Sequence, residues 1–145
     1  MSRRTSIVKA VAEKLKVIDG TTAFKSNIFN NSFPYLKFWD ETKDFPSIYT
    51  IAGSEQREYL PSDFTWGFLN LTLKVYTKGE FSQQLLEDLL EDIENVLHDN
   101  RRLEYDSVNM YSTEEILISS IVTDEGLLAP YAIGEISIQV RYQII

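Results

Sequence analysis

The spacing of apolar residues changes character several times along this chain, and each change marks an element. Between Gly79 and Arg102, Leu85, Leu86, Leu89, Leu90, Ile93, Val96 and Leu97 recur at three- and four-residue steps, the single stripe of an amphipathic helix. The opposite side carries Glu87, Asp88, Glu91, Asp92 and Glu94, with no Lys or Arg between Glu80 and Asp99. The pattern predicts a helix with a buried aliphatic face and an exposed acidic one. His98, Arg101 and Arg102 follow, placed well for the negative helix end. Near the N-terminus, Ile7, Val8, Val11, Ala12 and Leu15 give a second, shorter stripe. Thr5 or Ser6 is the expected cap, and Asp19-Gly20 the stop, with the helix ending near Ile18.

Elsewhere the period falls to two. Phe64–Thr77 alternates strictly, with Leu69, Leu71, Leu73 and Val75 on one side and Phe68, Asn70, Thr72, Lys74 and Tyr76 on the other. That is a strand with one buried face. Ser47–Ala52 reads as a short strand before it, and Gly53–Asp63 as a polar excursion at the tip of a hairpin. Ile116–Thr123 is a third strand, Asp124-Glu125-Gly126 a turn, and Tyr131–Ile145 a last alternating strand. Residues 21–46 have no clean period but hold Phe24, Phe29, Phe33, Tyr35, Phe38, Trp39 and Phe45. A short strand is expected near Leu36–Trp39, with the segment wrapping a sheet edge. Its rings either seal the core or fill a subunit interface, where aromatics are enriched.

The order helix, strand, strand, helix, strand, strand predicts an α+β fold. It is a two-layer domain in which two helices cover one face of a mainly antiparallel sheet of about four strands. Residues 1–145 are expected to form a single domain. The second sheet face, with Asn70, Thr72, Lys74, Ser137, Gln139 and Arg141, is polar enough to meet water or another polar surface.

Composition narrows the function classes. No apolar run approaches the ~18 residues of a membrane span. The basic start, Met1-Ser2-Arg3-Arg4, lacks the apolar stretch of a signal peptide, because Lys9, Glu13, Lys14 and Lys16 interrupt it. The chain has no cysteine, which removes disulfides and thiolate metal sites. A net charge of −8 argues against a nucleic-acid grip, which depends on neutralising phosphates. The charge is uneven: Arg3, Arg4, Lys9, Lys14 and Lys16 oppose only Glu13 in the first 16 residues, the reverse of the acidic helix. Such asymmetry suits complementary surfaces within or between subunits.

Catalytic signatures are missing. His98 is the one histidine, at a helix end, and the glycines form no phosphate-binding loop or dinucleotide fingerprint. Glu87/Glu91 and Asp88/Asp92, four apart, could hold a hard cation through oxygen ligands; the competing readings are a solvated face, an interface or a pore wall. No cofactor is expected. Arg57, Tyr59 and Leu60 on the hairpin excursion have the residue types of a contact patch.

The segment FPSIYTIAGSEQREYLPSDFTWGFLNLTLKVYTKG (residues 45–79), followed by QQLLEDLLEDIENVL and a final IGEISIQVRYQ, resembles the tail terminator proteins of long-tailed bacteriophages. The resemblance spans residues 45–145 and rests on the order and texture of these segments; residues 21–44 contribute nothing to it. It implies a non-enzymatic virion protein whose copies close into a hexameric ring on the head-proximal end of the tail tube. The ring would end tube polymerisation and present a docking surface to a neck or head-completion protein. Tail tube protein would be a second partner, and DNA would pass through the lumen without specific binding. The virion tail is then the expected location, after assembly in the host cytoplasm. Other head–tail joining proteins, and a monomeric protein-binding domain, remain as alternatives. The residues expected at assembly contacts are Arg3, Arg4, Arg57, Tyr59, Leu60, Glu87, Asp88, Glu91, Asp92, Arg101 and Arg102.

Overall fold

The computed structural model describes residues 1–145 as two helices and seven strands, an α+β protein. Helix α1 spans Arg3–Leu15 and α2 spans Ser82–Asp99. The strands are β1 (Ser32–Phe33), β2 (Ser47–Leu60), β3 (Phe64–Lys78), β4 (Glu104–Asp106), β5 (Tyr111–Ser112), β6 (Glu115–Thr123) and β7 (Tyr131–Ile144). The main sheet has the order β1-β2-β3-β7-β6; β4 and β5 form a separate pair. Every pairing is antiparallel except β1 with β2.

The cap of α1 lies earlier than its stripe suggests. Ser2, not Thr5 or Ser6, accepts the orphan N–H of Thr5 at 3.1 Å, so the first turn begins at Arg3. The helix closes at Leu15, although Ile18 is still fully buried. In α2, Leu86, Leu89, Leu90, Ile93, Val96 and Leu97 are buried. Leu85 is not part of that stripe; it is 44% exposed. Close packing of α2 on the sheet depends on Gly134. A Cβ there would stand 3.1 Å from Leu86 Cδ1 and 3.2 Å from Leu90 Cδ2.

Strand β2 corrects the expected polar excursion. The chain stays extended through Leu60, and only Pro61–Asp63 turns, with Ser62 and Asp63 at positive φ. A bulge between Ala52 and Glu55 adds one residue to β2, since Ala52 pairs with Leu71 and Glu55 with Leu69. Side chains therefore keep alternating but change phase. Ile48, Thr50 and Ala52 share the helix-covered face with Glu55, Arg57 and Tyr59 further along.

The core is one cluster of 23 buried residues from α1, α2, the facing positions of β2, β3, β6 and β7, and Ile18 and Ile28 of the segment after α1. On the opposite face the strand expected at Leu36–Trp39 is absent. The pairing occurs earlier, at Ser32–Phe33, and Pro34 follows at once without an N–H to continue it. Ser32 is pinned by its hydroxyl, which donates to the Ala12 carbonyl at 2.6 Å. Residues 34–46 then cross onto the outer sheet face. Phe33 stacks on Tyr49, Tyr35 contacts both, and Trp39 and Phe45 lean on Tyr131. The Tyr76 hydroxyl donates to the Lys37 carbonyl at 2.7 Å, and Thr42 and Tyr49 share a hydroxyl pair, also at 2.7 Å. Some rings thus seal one end of the outer face, while Phe29 and Phe38 stay exposed.

The β4–β5 pair was not visible in the periodicity, because strands of two or three residues carry none. Its signal was local: Asp106 Oδ1 accepts the N–H groups of Val108 and Asn109, both at 3.1 Å, a turn that aspartate builds with its own following backbone.

Candidate assembly surfaces

The eleven residues expected at contacts fall into three groups rather than one site. The first gathers at the N-terminus of α1. Arg3 Nη1 donates to the Ile145 carbonyl at 2.6 Å, and Arg4 donates to the Gly53 carbonyl inside the bulge. Arg57 Nε meets Glu55 Oε2 at 2.9 Å, and the Tyr142 hydroxyl donates to Glu55 Oε1 at 2.5 Å. The bulge makes this possible by turning Glu55 and Arg57 toward the helix layer. Burial, then the bond to Glu55, pushes the Tyr142 hydroxyl up to about 12. Arg3, Arg4, Arg57 and Tyr142 line a groove of about 390 Å³. Tyr59 and Leu60 stand exposed at the far end of β2.

The second group, on α2, is not the uniform solvated face expected. Asp92 is 2% exposed. Its carboxylate accepts the backbone N–H of Lys25 at 3.2 Å and of Ser26 at 2.8 Å. It anchors the loop after α1 and cannot meet a partner without releasing it. The physical reason is simple: two loop N–H groups packed against α2 need an acceptor, and a carboxylate is the strongest. Glu91 pairs with Lys25 Nζ at 2.6 Å, and that bond holds the Lys25 ammonium above its usual range. Asp88 is half-buried, and Glu87 and Glu94 are exposed. The spacings suited to a cation, Glu87/Glu91 and Asp88/Asp92, are therefore split, since one member of each is already engaged.

The third group follows α2. Arg101 bonds His98 Nδ1 at 3.0 Å and approaches Glu115 at 3.5 Å. Arg102 lines a separate groove with Tyr105, Met110 and Ile145.

Two features escaped the sequence reading. Asp124 ties α2 to the β6–β7 turn: its carboxylate accepts Gln83 Nε2 and the N–H groups of Leu128 and Ile133, each at 3.1 Å. Burial opposes ionisation there, but the hydrogen bonds outweigh it and hold the carboxyl below the usual range. The other is the open edge of β6, which is the last strand of the sheet and bonded only on its β7 side. Leu117, Ile121 and Val122 are 47%, 40% and 57% exposed. Consecutive apolar residues in a strand, Ile116-Leu117-Ile118 and Ile121-Val122, were the available signal.

This chain and its fold have known counterparts. Residues 1–144 match the family described as Bacteriophage Tail Tube Terminator Protein. The tail tube terminator protein p142 of Escherichia phage T5 is 36% identical over 153 residues, covering 99% of this chain and 95% of that protein. The chain therefore belongs to the bacteriophage tail tube terminator family. A chain from the virion of a native gene transfer agent particle shares the fold, with a TM-score of 0.59 at 10% identity over 99% of this chain and 100% of that one.

Proposed function

We propose that this protein is a structural virion component that closes a phage tail tube. Its copies form a ring, most simply a hexamer, on the head-proximal end of the tube. One ring face matches the tube; the other no longer offers the growing surface and instead receives a neck or head-completion protein. Residues 1–145 act as one such domain. The role requires no chemistry at a side chain, and contacts between surfaces suffice. The observation that carries this reading is the match to tail tube terminators over essentially the whole chain.

The ring is a heterologous, head-to-tail assembly that closes when its rotation closes. Arg3, Arg4, Arg57, Tyr59 and Leu60 form one candidate contact region, and Glu87, Asp88, Glu91, Arg101 and Arg102 others. A net charge of −8 suits a lumen through which DNA moves without sticking, because acidic walls repel phosphate. The protein then works in the virion tail after assembly in the host cytoplasm. Electron microscopy of tails made without this protein tests the proposal. Tails of uncontrolled length that fail to join heads are expected; normal tails that join heads would overturn it.

A further inference from the structure

We infer that the open edge of β6 pairs with the open stretch of β2 in the next copy, so that the main sheet runs on from subunit to subunit. This rests on the ring reading above and specifies its contact.

Four observations point the same way. First, β6 is an unguarded edge. Between Glu115 and Asp124 it carries no charge and no proline, and its one irregularity is a bulge between Ile118 and Ser120. Proteins blunt such edges, because a row of unpaired N–H and C=O groups beside apolar side chains recruits another strand. Here Leu117, Ile121 and Val122 are left exposed beside that row. Second, the sheet's other side offers the matching edge. The short β1 covers β2 only at Ile48 and Tyr49, leaving the strand open from the bulge to Leu60.

Third, the directions agree. β2, β3, β7 and β6 alternate in direction, so β6 runs opposite to β2. Rotation about a ring axis along the strands preserves direction, so β6 meets the next β2 antiparallel, like its neighbours within the subunit. The open part of β2 lies nearer the hairpin turn than β6 does. Continuous pairing therefore needs the strand stagger of a closed, tilted sheet.

Fourth, the helix layers match in charge. α2 packs over β3, β7 and β6, and α1 over β2, so continuing the sheet sets α2 of one copy beside α1 of the next. The flank of α2 toward β6 starts at Gln83, which holds Asp124 in the β6–β7 turn. Glu87 and Glu94 lie one and three turns further along that flank. Glu94 lines a groove with Leu117 and Ile118, and Arg101 stands at the groove's end near α2's C-terminus. On the opposite side of the subunit, Arg4 lines a groove with Ile51 and Ala52 beside the open β2 edge. An apolar-floored groove on one side, with Glu87 and Glu94 along its helix, thus faces a groove carrying Arg4 on the other.

The absence of cysteine allows a direct test. Leu117 on β6 and Gln56 and Glu58 on β2 share the outer sheet face. Chains carrying Leu117→Cys with Gln56→Cys, or Leu117→Cys with Glu58→Cys, should on mild oxidation give a ladder of disulfide-linked multimers ending at the closed ring. Leu117→Cys alone should give none. Separately, Leu117→Lys with Val122→Lys places charges on exposed positions. It should leave circular dichroism unchanged while weakening self-association at least about 100-fold in sedimentation, since each desolvated charge costs at least about a factor of ten. If the lysine variant misfolds, the disulfide ladder decides. Disulfide dimers from Leu117→Cys alone would mean that β6 pairs with itself and would overturn the inference. Rings without the β6–β2 links, or rings that tolerate the lysines, would overturn it while leaving the terminator role intact. A wild-type chain that is monomeric at millimolar concentration, with cysteine-pair variants that give no links on oxidation, would also overturn it. Normal tails made without the protein would sink the terminator role itself.

Discussion

The two faces of the main sheet are covered by different means. On one, α1 and α2 lay down aliphatic stripes, and contact is almost wholly hydrocarbon. On the other, residues 34–46 cover only one end, with aromatic rings held by hydroxyl and carbonyl groups. The difference follows from backbone polarity. A helix satisfies its own N–H and C=O groups, so its buried side can be purely apolar. An irregular segment cannot, and lies on a sheet only where side chains such as Tyr76 and Thr42 meet its carbonyls.

The comparison can be broken most severely from the helix side. Leu89→Asp or Ile93→Asp places an unpaired carboxylate in the core, and the protein should lose its cooperative thermal transition altogether. A native-like melt of either variant would show that the α2 stripe is not core. Next in size is Asp92→Ala, which leaves the N–H groups of Lys25 and Ser26 without their acceptor. It should cost about 2–3 kcal/mol by urea unfolding, as expected for hydrogen bonds to a charged group. Full retention of stability would contradict an anchoring role for Asp92.

On the outer face, Tyr76→Phe removes one hydroxyl bond and should cost only about 1 kcal/mol. Proteolysis should nevertheless quicken within residues 34–46, because that bond holds the segment rather than the core. Uniform protection would show the rings to be sufficient alone. Alkaline pH sharpens the contrast with the smallest effect near neutrality. Tyr76 and Tyr142 lie on opposite faces, and burial pushes each hydroxyl up to about 12 from an ordinary value of 10. A folded-state value above the unfolded one gives stability that is complete below pH 10 and fades as pH rises toward 12. Stability should be flat from pH 7 to 10 and fall beyond. Tyr76→Phe and Tyr142→Phe should each make that fall shallower, and an unchanged slope in both would exclude the tyrosines as its source.

The same contrast explains what the sequence made legible. Stripes and alternations of five residues or more reported α2, β3 and β7 nearly to their ends, because one-sided burial leaves a periodic trace, and runs of consecutive apolar residues reported β6. The path of residues 21–46 left none, since it was decided by Pro34, by the Ser32 bond to α1 and by tyrosines far along the chain. On α2, acidity alone could not separate Asp92 from Glu91. Adjacent on the helix, they differ in what a distant loop needs: two backbone N–H groups meet one, a lysine side chain meets the other. Of the candidate contacts, the gathering of Arg3, Arg4 and Arg57 was equally hidden, because it depends on which face of β2 carries Arg57.

The bulge also shows how chain length enters this surface. The extra residue near Gly53 is absorbed so that Ala52 before it and Glu55 after it both look toward the helices. Deleting Gly53 would flatten the strand and leave Glu55 and Arg57 opposite Leu69 and Gly67 on the same face, yet it would take away the carbonyl that Arg4 binds. The arginine cluster would lose that contact without a single substitution in it. Length along this strand therefore shapes the surface alongside residue identity.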